Sequence, residues 1–327
     1  MRVPEPQTPR RAGSFAVGRV VGGGGMAAVH LGRALDGSGE VVALKIIKDD
    51  LSRLPGYLTM FHDEAAILGR MQHPNIVRTL ESGVAGSHRY IAMELLLGRT
   101  LAEVFDRVCL ADFALPPKLV AWIGARVAAA LHYAHVLEDE HGVPLHVVHR
   151  DANPSNIVLT YDGEVKLIDF GLAKAARRNT STEDGIIKGK VPYLAPEQIL
   201  EEEVDARTDI FTLGATLWET LAMRRLFKRD TDLETIHAIR EGHVPALAEV
   251  APRCGVELAE VVTKCLARER RDRYASAEMV AAALDAIHDK GGADNAFVLR
   301  RLLDRTFPGE REQRVRWRTD PIGVPGG

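Results

Sequence analysis

Near residue 97 the periodicity of the chain changes, and that change limits the architectures open to it more than any other feature. From Phe15 to about Met93, β-branched and apolar runs at 15–21, 28–33 and 41–47 alternate with glycine-rich turns, as antiparallel strands do. One helix interrupts them. Met60, Ala65, Ile67, Leu68 and Met71 recur at close to helical spacing, and the segment stops before His73-Pro74 because the residue ahead of a proline avoids helical dihedrals. Beyond Gly98 the helical period dominates and predicts helices at 101–108, 117–137, 209–222, 232–240, 258–267 and 275–287. No internal repeat accounts for the change. At 327 residues the chain exceeds one average domain, so two parts are expected, one mainly sheet and one mainly helix.

Composition narrows the function classes. With 46% hydrophobic and 27% charged residues the chain can bury a sizeable core, which excludes disordered and collagen-like readings. A net charge of -3 provides no global positive field for nucleic acid or an anionic membrane. The three cysteines, Cys109, Cys254 and Cys265, include no C-x-x-C pair, so a reducing cytoplasm is expected. Residues 1–13, rich in proline and without an apolar stretch, read as a flexible arm rather than a signal peptide. The longest apolar tract, 120–137, carries Arg126 and two histidines and reads as an amphipathic helix, so no membrane span is expected. His132 and His135 are three apart, but no carboxylate or cysteine completes a zinc set. Residues 290–327 read as an extension of the helical part, with a helix at 296–307 and then a polar tail. Seven arginines in it, from Arg300 to Arg318, read as a solvated basic face, and no nucleic acid partner is expected.

The run Val21-Gly22-Gly23-Gly24-Gly25-Met26-Ala27-Ala28-Val29 suits phosphates, because glycines let backbone N–H groups approach an anion. A second strand follows the glycines, which excludes the strand-to-helix turn of a dinucleotide fold, and no Gly-Lys-Ser/Thr follows, which excludes a Walker loop. Further along lie Val42-Ala43-Leu44-Lys45, Glu64 in the following helix, His149-Arg150-Asp151 with Asn156, Asp169-Phe170-Gly171, and Ala195-Pro196-Glu197.

This ordered set resembles the protein kinase signature over about residues 15–287, and the flanking residues are most similar to those of bacterial eukaryotic-like (Hanks-type) serine/threonine protein kinases. The resemblance implies an α+β, bilobal fold: an arm (1–13), an N-lobe of antiparallel sheet plus one helix (14–96), a mainly helical C-lobe (97–289) and the extension (290–327). It implies ATP and Mg²⁺, with Mn²⁺ as an alternative ion, and phosphorylation of Ser or Thr on proteins, this chain included; a dimer is allowed. Lys45 would contact the α- and β-phosphates and pair with Glu64; Asn156 and Asp169 would bind the metal; Asp151 would accept the hydroxyl proton. Gly22, Gly24 and Gly25 would cover the phosphates. Val21, Val29, Ala43 and Val158 would line the adenine pocket with Met93 behind it, and backbone groups of Glu94 and Leu96, in a connecting strand 93–96, would pair with the base. Asp209 and Arg273, the latter paired with Glu197, read as scaffold. Arg150 implies control by phosphorylation at Thr180, Ser181 or Thr182.

Three positions depart from the pattern. Ala27 replaces the third glycine, at little cost if Gly22 and Gly24 carry the turn. Asn153 stands where the catalytic loop usually has a lysine that helps neutralise the γ-phosphate, and Lys190 stands where a threonine is usual. The expectation is that the two changes are coupled, the ammonium of Lys190 restoring the charge missing at Asn153. The same departures leave two rival readings, an inactive ATP-binding scaffold and a small-molecule kinase of the same fold.

Overall fold

The structure is a computed structural model that describes residues 10–24, 27–48, 61–62, 65–86, 88–111, 113–170, 191–288 and 294–319. The chain divides into two compact units. One takes the described residues up to Gln72, Val77–Leu97 and those from Phe307 on; the other takes His73–Ile76 and Gly98–Thr306.

The first unit is built on one antiparallel sheet of β1 (Arg11–Ala12), β2 (Phe15–Gly23), β3 (Ala27–Ala34), β4 (Val41–Ile47), β5 (Thr79–Ala85) and β6 (His88–Glu94), in the order β1-β2-β3-β4-β6-β5. Side chains alternate across a strand, so register assigns each residue a face. Val42, Leu44, Ile46, Tyr90 and Ala92 fall on one face and pack with Ala12, Phe15 and Ala85 into a core. Ala43 pairs with Met93, and Lys45 pairs with Val29 and Ile91, so this set lies on the opposite face. Residues 61–62 and 65–68 are helical, as their spacing predicts. The strand expected at 93–96 ends at Glu94, whose partner is Val42; residues 95–97 carry no regular structure.

The second unit holds β7 (Gly98–Thr100), α1 (Leu101–Leu110), α2 (Pro117–His135), β8 (Ile157–Thr160), β9 (Val165–Leu167), α3 (Pro196–Ile199), α4 (Ala206–Ala222), α5 (Asp232–Glu241), α6 (Leu247–Val250), α7 (Val256–Cys265), α8 (Ala277–His288) and α9 (Asn295–Thr306). A reciprocal cap starts α1: Glu103 N–H donates to Thr100 Oγ1 (3.2 Å) and Thr100 N–H to Glu103 Oε2 (2.8 Å). Helix α4 is buried on every side from Thr208 to Leu221, and α2 packs against it and against α8. Each helix expected from periodicity is present, with ends shifted by a few residues. Among the described residues, no helix is long and apolar enough to cross a membrane.

Two elements differ from expectation. The antiparallel sheet β7-β8-β9 lies inside the helical unit, its strands of three or four residues being too short to show alternation. The polar tail forms a further helix, α10 (Glu310–Thr319), which groups with the sheet unit rather than the helical one. Its sequence lacks an apolar stripe; it is held by a Glu310–Arg314 ion pair, by Arg33 Nη2 donating to the Thr319 carbonyl (2.9 Å), and by Arg19 over the Trp317 ring (5.9 Å).

Gly98 opens β7 where β8 passes so close that a Cβ would stand 2.2 Å from the Leu159 carbonyl oxygen. Backbone cannot yield as a side chain can. Gly98→Ala is expected to destabilise the protein by about 1–3 kcal/mol, read as an earlier midpoint in denaturant unfolding at unchanged m.

Candidate functional site

The loop between α2 and β8 is organised by one carboxylate. Asp209 lies in the first turn of α4, fully buried, where the helix dipole favours negative charge. Its Oδ1 accepts from Arg150 N–H (2.6 Å); its Oδ2 accepts from His149 N–H (2.8 Å) and lies 2.8 Å from His135 Nε2 at the end of α2. Three donors replace the water that burial removes. With the loop clamped in this way Arg150 holds φ +64°, a left-handed conformation that costs a non-glycine residue about 1–2 kcal/mol.

Downstream, the loop folds onto itself. Asp151 N–H donates to His149 Nδ1 (3.2 Å), which leaves Nε2–H to donate to the Ile168 carbonyl (3.2 Å) just before Asp169. The His149 ring also lies 4.5 Å from that of Phe170. Burial pushes the imidazole below its ordinary value and outweighs the opposing pull of Asp209 and Asp151. His149 is thus neutral, with its tautomer set by those two bonds. Asn153 and Asn156 bracket Asp151: Asn153 Nδ2 donates to Asp151 Oδ1 (2.6 Å), and Asn156 Nδ2 donates to the Asp151 carbonyl (2.8 Å). The second bond leaves Oδ1 as the acceptor end of the Asn156 amide. Asp169 follows at φ +54°.

A stripe of threonines every four residues along α4 ties this loop to the segment after it, a pattern visible in the sequence but without a partner there. Thr216 Oγ1 donates to the Ala152 carbonyl (3.4 Å), Thr212 Oγ1 to the Tyr193 carbonyl (3.2 Å) and Thr208 Oγ1 to Glu197 (2.7 Å). Arg273 grips Glu197 with two bonds (2.8 and 3.0 Å), as the sequence implied. Burial raises the Glu197 carboxyl, but the guanidinium and these bonds hold it below its ordinary value. Glu219, also on α4, accepts from Tyr193 Oη–H (2.7 Å) and Arg225 (3.0 Å), so Tyr193, which ends the turn Val191–Tyr193, is held at both its carbonyl and its hydroxyl. Gln198 Nε2 closes the frame on the Arg150 carbonyl (3.3 Å). His135 is spent on Asp209, while His132 Nε2 lies 3.8 Å from Glu278, so the two histidines do not converge.

In the sheet unit, buried Lys45 shares its face with Val29, Ala43 and Met93. Val21 and Gly22 lie in β2, with Gly22 paired to Val29, and Gly24 N–H donates to the Ala27 carbonyl (2.9 Å) to close the turn. Gly22 is therefore a strand residue rather than part of the turn. A Cβ on Gly22 would meet only ordinary contact at 4.0 Å, and one on Gly24 nothing. The chain's own packing does not require glycine at either position. Glu94 anchors the end of β6 by accepting from Arg78 N–H (2.8 Å) and donating its own N–H to the Arg78 carbonyl (2.9 Å), a role for its side chain that the sequence did not suggest. Leu96 follows this strand and Val158 lies in β8. Gly25, Glu64, Lys190, Thr180, Ser181 and Thr182 lie outside the described residues.

A family model described as the protein kinase domain matches residues 15–284. A protein named tyrosine-protein kinase MasK, from Myxococcus xanthus, is 39% identical over 275 residues, which are 84% of this chain and 43% of that protein. The proteins named serine/threonine-protein kinase PknB from Mycobacterium leprae and Mycolicibacterium smegmatis are 32% and 34% identical, over 86% and 87% of this chain and 44% of each of theirs. The chain thus spans less than half the length of these curated relatives. Among solved structures, the PknI kinase domain of Mycobacterium tuberculosis aligns at a TM-score of 0.62 and 26% identity, covering 88% of this chain and 99% of that one.

Neutral His149 makes stability depend on pH. An unfolded histidine titrates near about 6.5, whereas the folded one resists protonation, so stability is complete above that value. It falls by up to about 1.4 kcal/mol per pH unit below it, until the depressed folded value is reached. Denaturant unfolding from pH 7.5 to 5 should show this loss, and His149→Phe, which keeps a ring against Phe170, should show a shallower one; equal slopes would contradict the assignment.

Proposed function

The chain belongs to the protein kinase domain family, in its bacterial eukaryotic-like branch, and from that premise we propose that it transfers the γ-phosphoryl group of ATP to serine and threonine hydroxyls of proteins, itself included. The observation that carries the reading is the hydrogen-bonded turn 151–156, in which a carboxylate and a hard-oxygen amide are fixed on a loop clamped by Asp209. Phosphoryl transfer asks little covalent chemistry of a protein; it asks for groups held still and for charge in the right place.

In this reading Lys45 takes the α- and β-phosphates, paired with Glu64. The open Cβ positions of Gly22, in β2, and of Gly24, after it, support a glycine-rich backbone that leaves room for an anion, and Gly25 would cover the phosphates with them. Val21, Val29, Ala43 and Val158 take the adenine with Met93 behind it, and the backbone of Glu94 and Leu96 takes its edge. Asp151 accepts the proton of the attacking hydroxyl. The donor set fits a hard cation: Asn156 has its amide nitrogen committed to a carbonyl and its oxygen facing away from that bond, and Asp169 adds a carboxylate. These two would hold Mg²⁺, or Mn²⁺ in its place, and the bound ion supplies positive charge to the phosphates. Lys190 adds the cation that Asn153 does not carry. The protein works in the cytoplasm, where ATP is available and Cys109, Cys254 and Cys265 stay reduced.

Incubation with radiolabelled ATP and Mg²⁺ should label the chain and a generic basic protein on serine and threonine, with autophosphorylation mapping between Asp169 and Glu197 at Thr180, Ser181 or Thr182. Asp151→Asn should abolish the label. Label surviving in that variant would remove the catalytic assignment, and label on tyrosine alone would move the activity to the class in the name of the Myxococcus relative. Separately, Lys190→Ala should slow transfer about tenfold or more, whereas a near-wild-type rate would end the charge-relocation idea.

A further inference from the structure

We propose that Asn153 is the positioning residue of the transfer step: by one neutral hydrogen bond it fixes the carboxylate of Asp151, without contributing charge. This inference rests on the kinase reading above.

The side chain is 2% exposed and committed at both ends. Its Oδ1 accepts from Ser155 N–H (2.9 Å), which fixes the orientation of the amide and turns Nδ2 toward Asp151. The Nδ2 to Oδ1 distance of 2.6 Å lies at the short end for a hydrogen bond to a carboxylate. The backbone repeats the connection once, with Asn153 N–H donating to the Asp151 carbonyl (2.8 Å), and Asn153 is itself held by Asn156 N–H donating to its carbonyl (3.0 Å). Asn153 is therefore held by its own neighbours while it holds Asp151. A lysine at this position would reach past the carboxylate on a long flexible stem; an asparagine is too short for that and works on the base alone.

The competing explanation is that Asn153 merely caps the short turn Pro154–Asn156, since its Oδ1 accepts from Ser155 N–H as an N-cap does. The two roles use opposite ends of the amide, so they can be separated. Serine caps as well as asparagine and is neutral, but it lacks the Nδ2 donor. Asn153→Ser should therefore leave the unfolding midpoint and the KM for ATP near wild type. It should lower kcat roughly 10- to 100-fold, the effect expected when a reacting group is held loosely. If the loss acts through Asp151, it should disappear in the Asp151→Asn background, measured as residual single-turnover transfer. A wild-type kcat for Asn153→Ser would overturn the inference, as would a full additional loss on top of Asp151→Asn. If the unaltered protein shows no transfer that depends on Asp151, the kinase reading falls, and this inference falls with it.

Discussion

A carboxylate without access to water sits beneath the loop that carries Asp151, and the arrangement of the helical unit follows from satisfying it. Asp209 is tolerable in the core only because His149 N–H, Arg150 N–H and the His135 ring converge on its two oxygens. The donors come from two stretches of chain, His135 at the end of α2 and the adjacent His149 and Arg150 in the loop, and the His149 ring ties that loop in turn to the Ile168 carbonyl just after β9. Loss of any one would leave a buried charge short of a partner. The loop consequently has one conformation, strained at Arg150, and Asp151 and Asn156 inherit their positions from it.

The same economy recurs along α4. Its apolar residues bury it among α2 and its neighbours, and its polar residues are used to hold loops. Thr208, Thr212 and Thr216 bond to Glu197, Tyr193 and Ala152; Glu219 receives Tyr193 and Arg225. Buried ion pairs such as Glu197 with Arg273 are weak contributors to net stability, since desolvation offsets much of their attraction. Their consequence here is positional: they fix the segment 191–198 against the helix that also fixes the loop of Asp151.

In the sheet unit the constraint is different, a matter of two faces. One face of β4 and β6 is filled by Val42, Leu44, Ile46, Tyr90 and Ala92 packed into a core, which leaves Ala43, Lys45 and Met93 on the other. A lysine can remain buried there because the long stem packs while its end group finds polar company. A Cβ at Gly22 or Gly24 would meet no obstruction, so the value of these two glycines lies in the bare backbone they present, whereas Gly23 is kept small by the Ala27 carbonyl 3.0 Å from where its Cβ would stand.

By itself the sequence determined the periodic elements and the order of the chemical groups. The β-branched, apolar run 41–47 and helical spacing in 101–108 and 117–137 are local signals, and a motif such as His149-Arg150-Asp151 is legible because its residues are adjacent. Tertiary structure decided what depends on partners distant in the chain. The strands β7, β8 and β9 exist through mutual pairing rather than propensity, and α10 is a helix whose last residue and tryptophan are held by Arg33 and Arg19, nearly 300 residues earlier. The threonine stripe was visible but had no evident purpose until the loops it bonds were in place. Asn153 is the sharpest case: read along the chain it is a missing lysine, and folded it is a donor 2.6 Å from Asp151. A residue's type is local, but the group it meets is set by the fold, because burial leaves each polar atom no partner except those that packing brings to it.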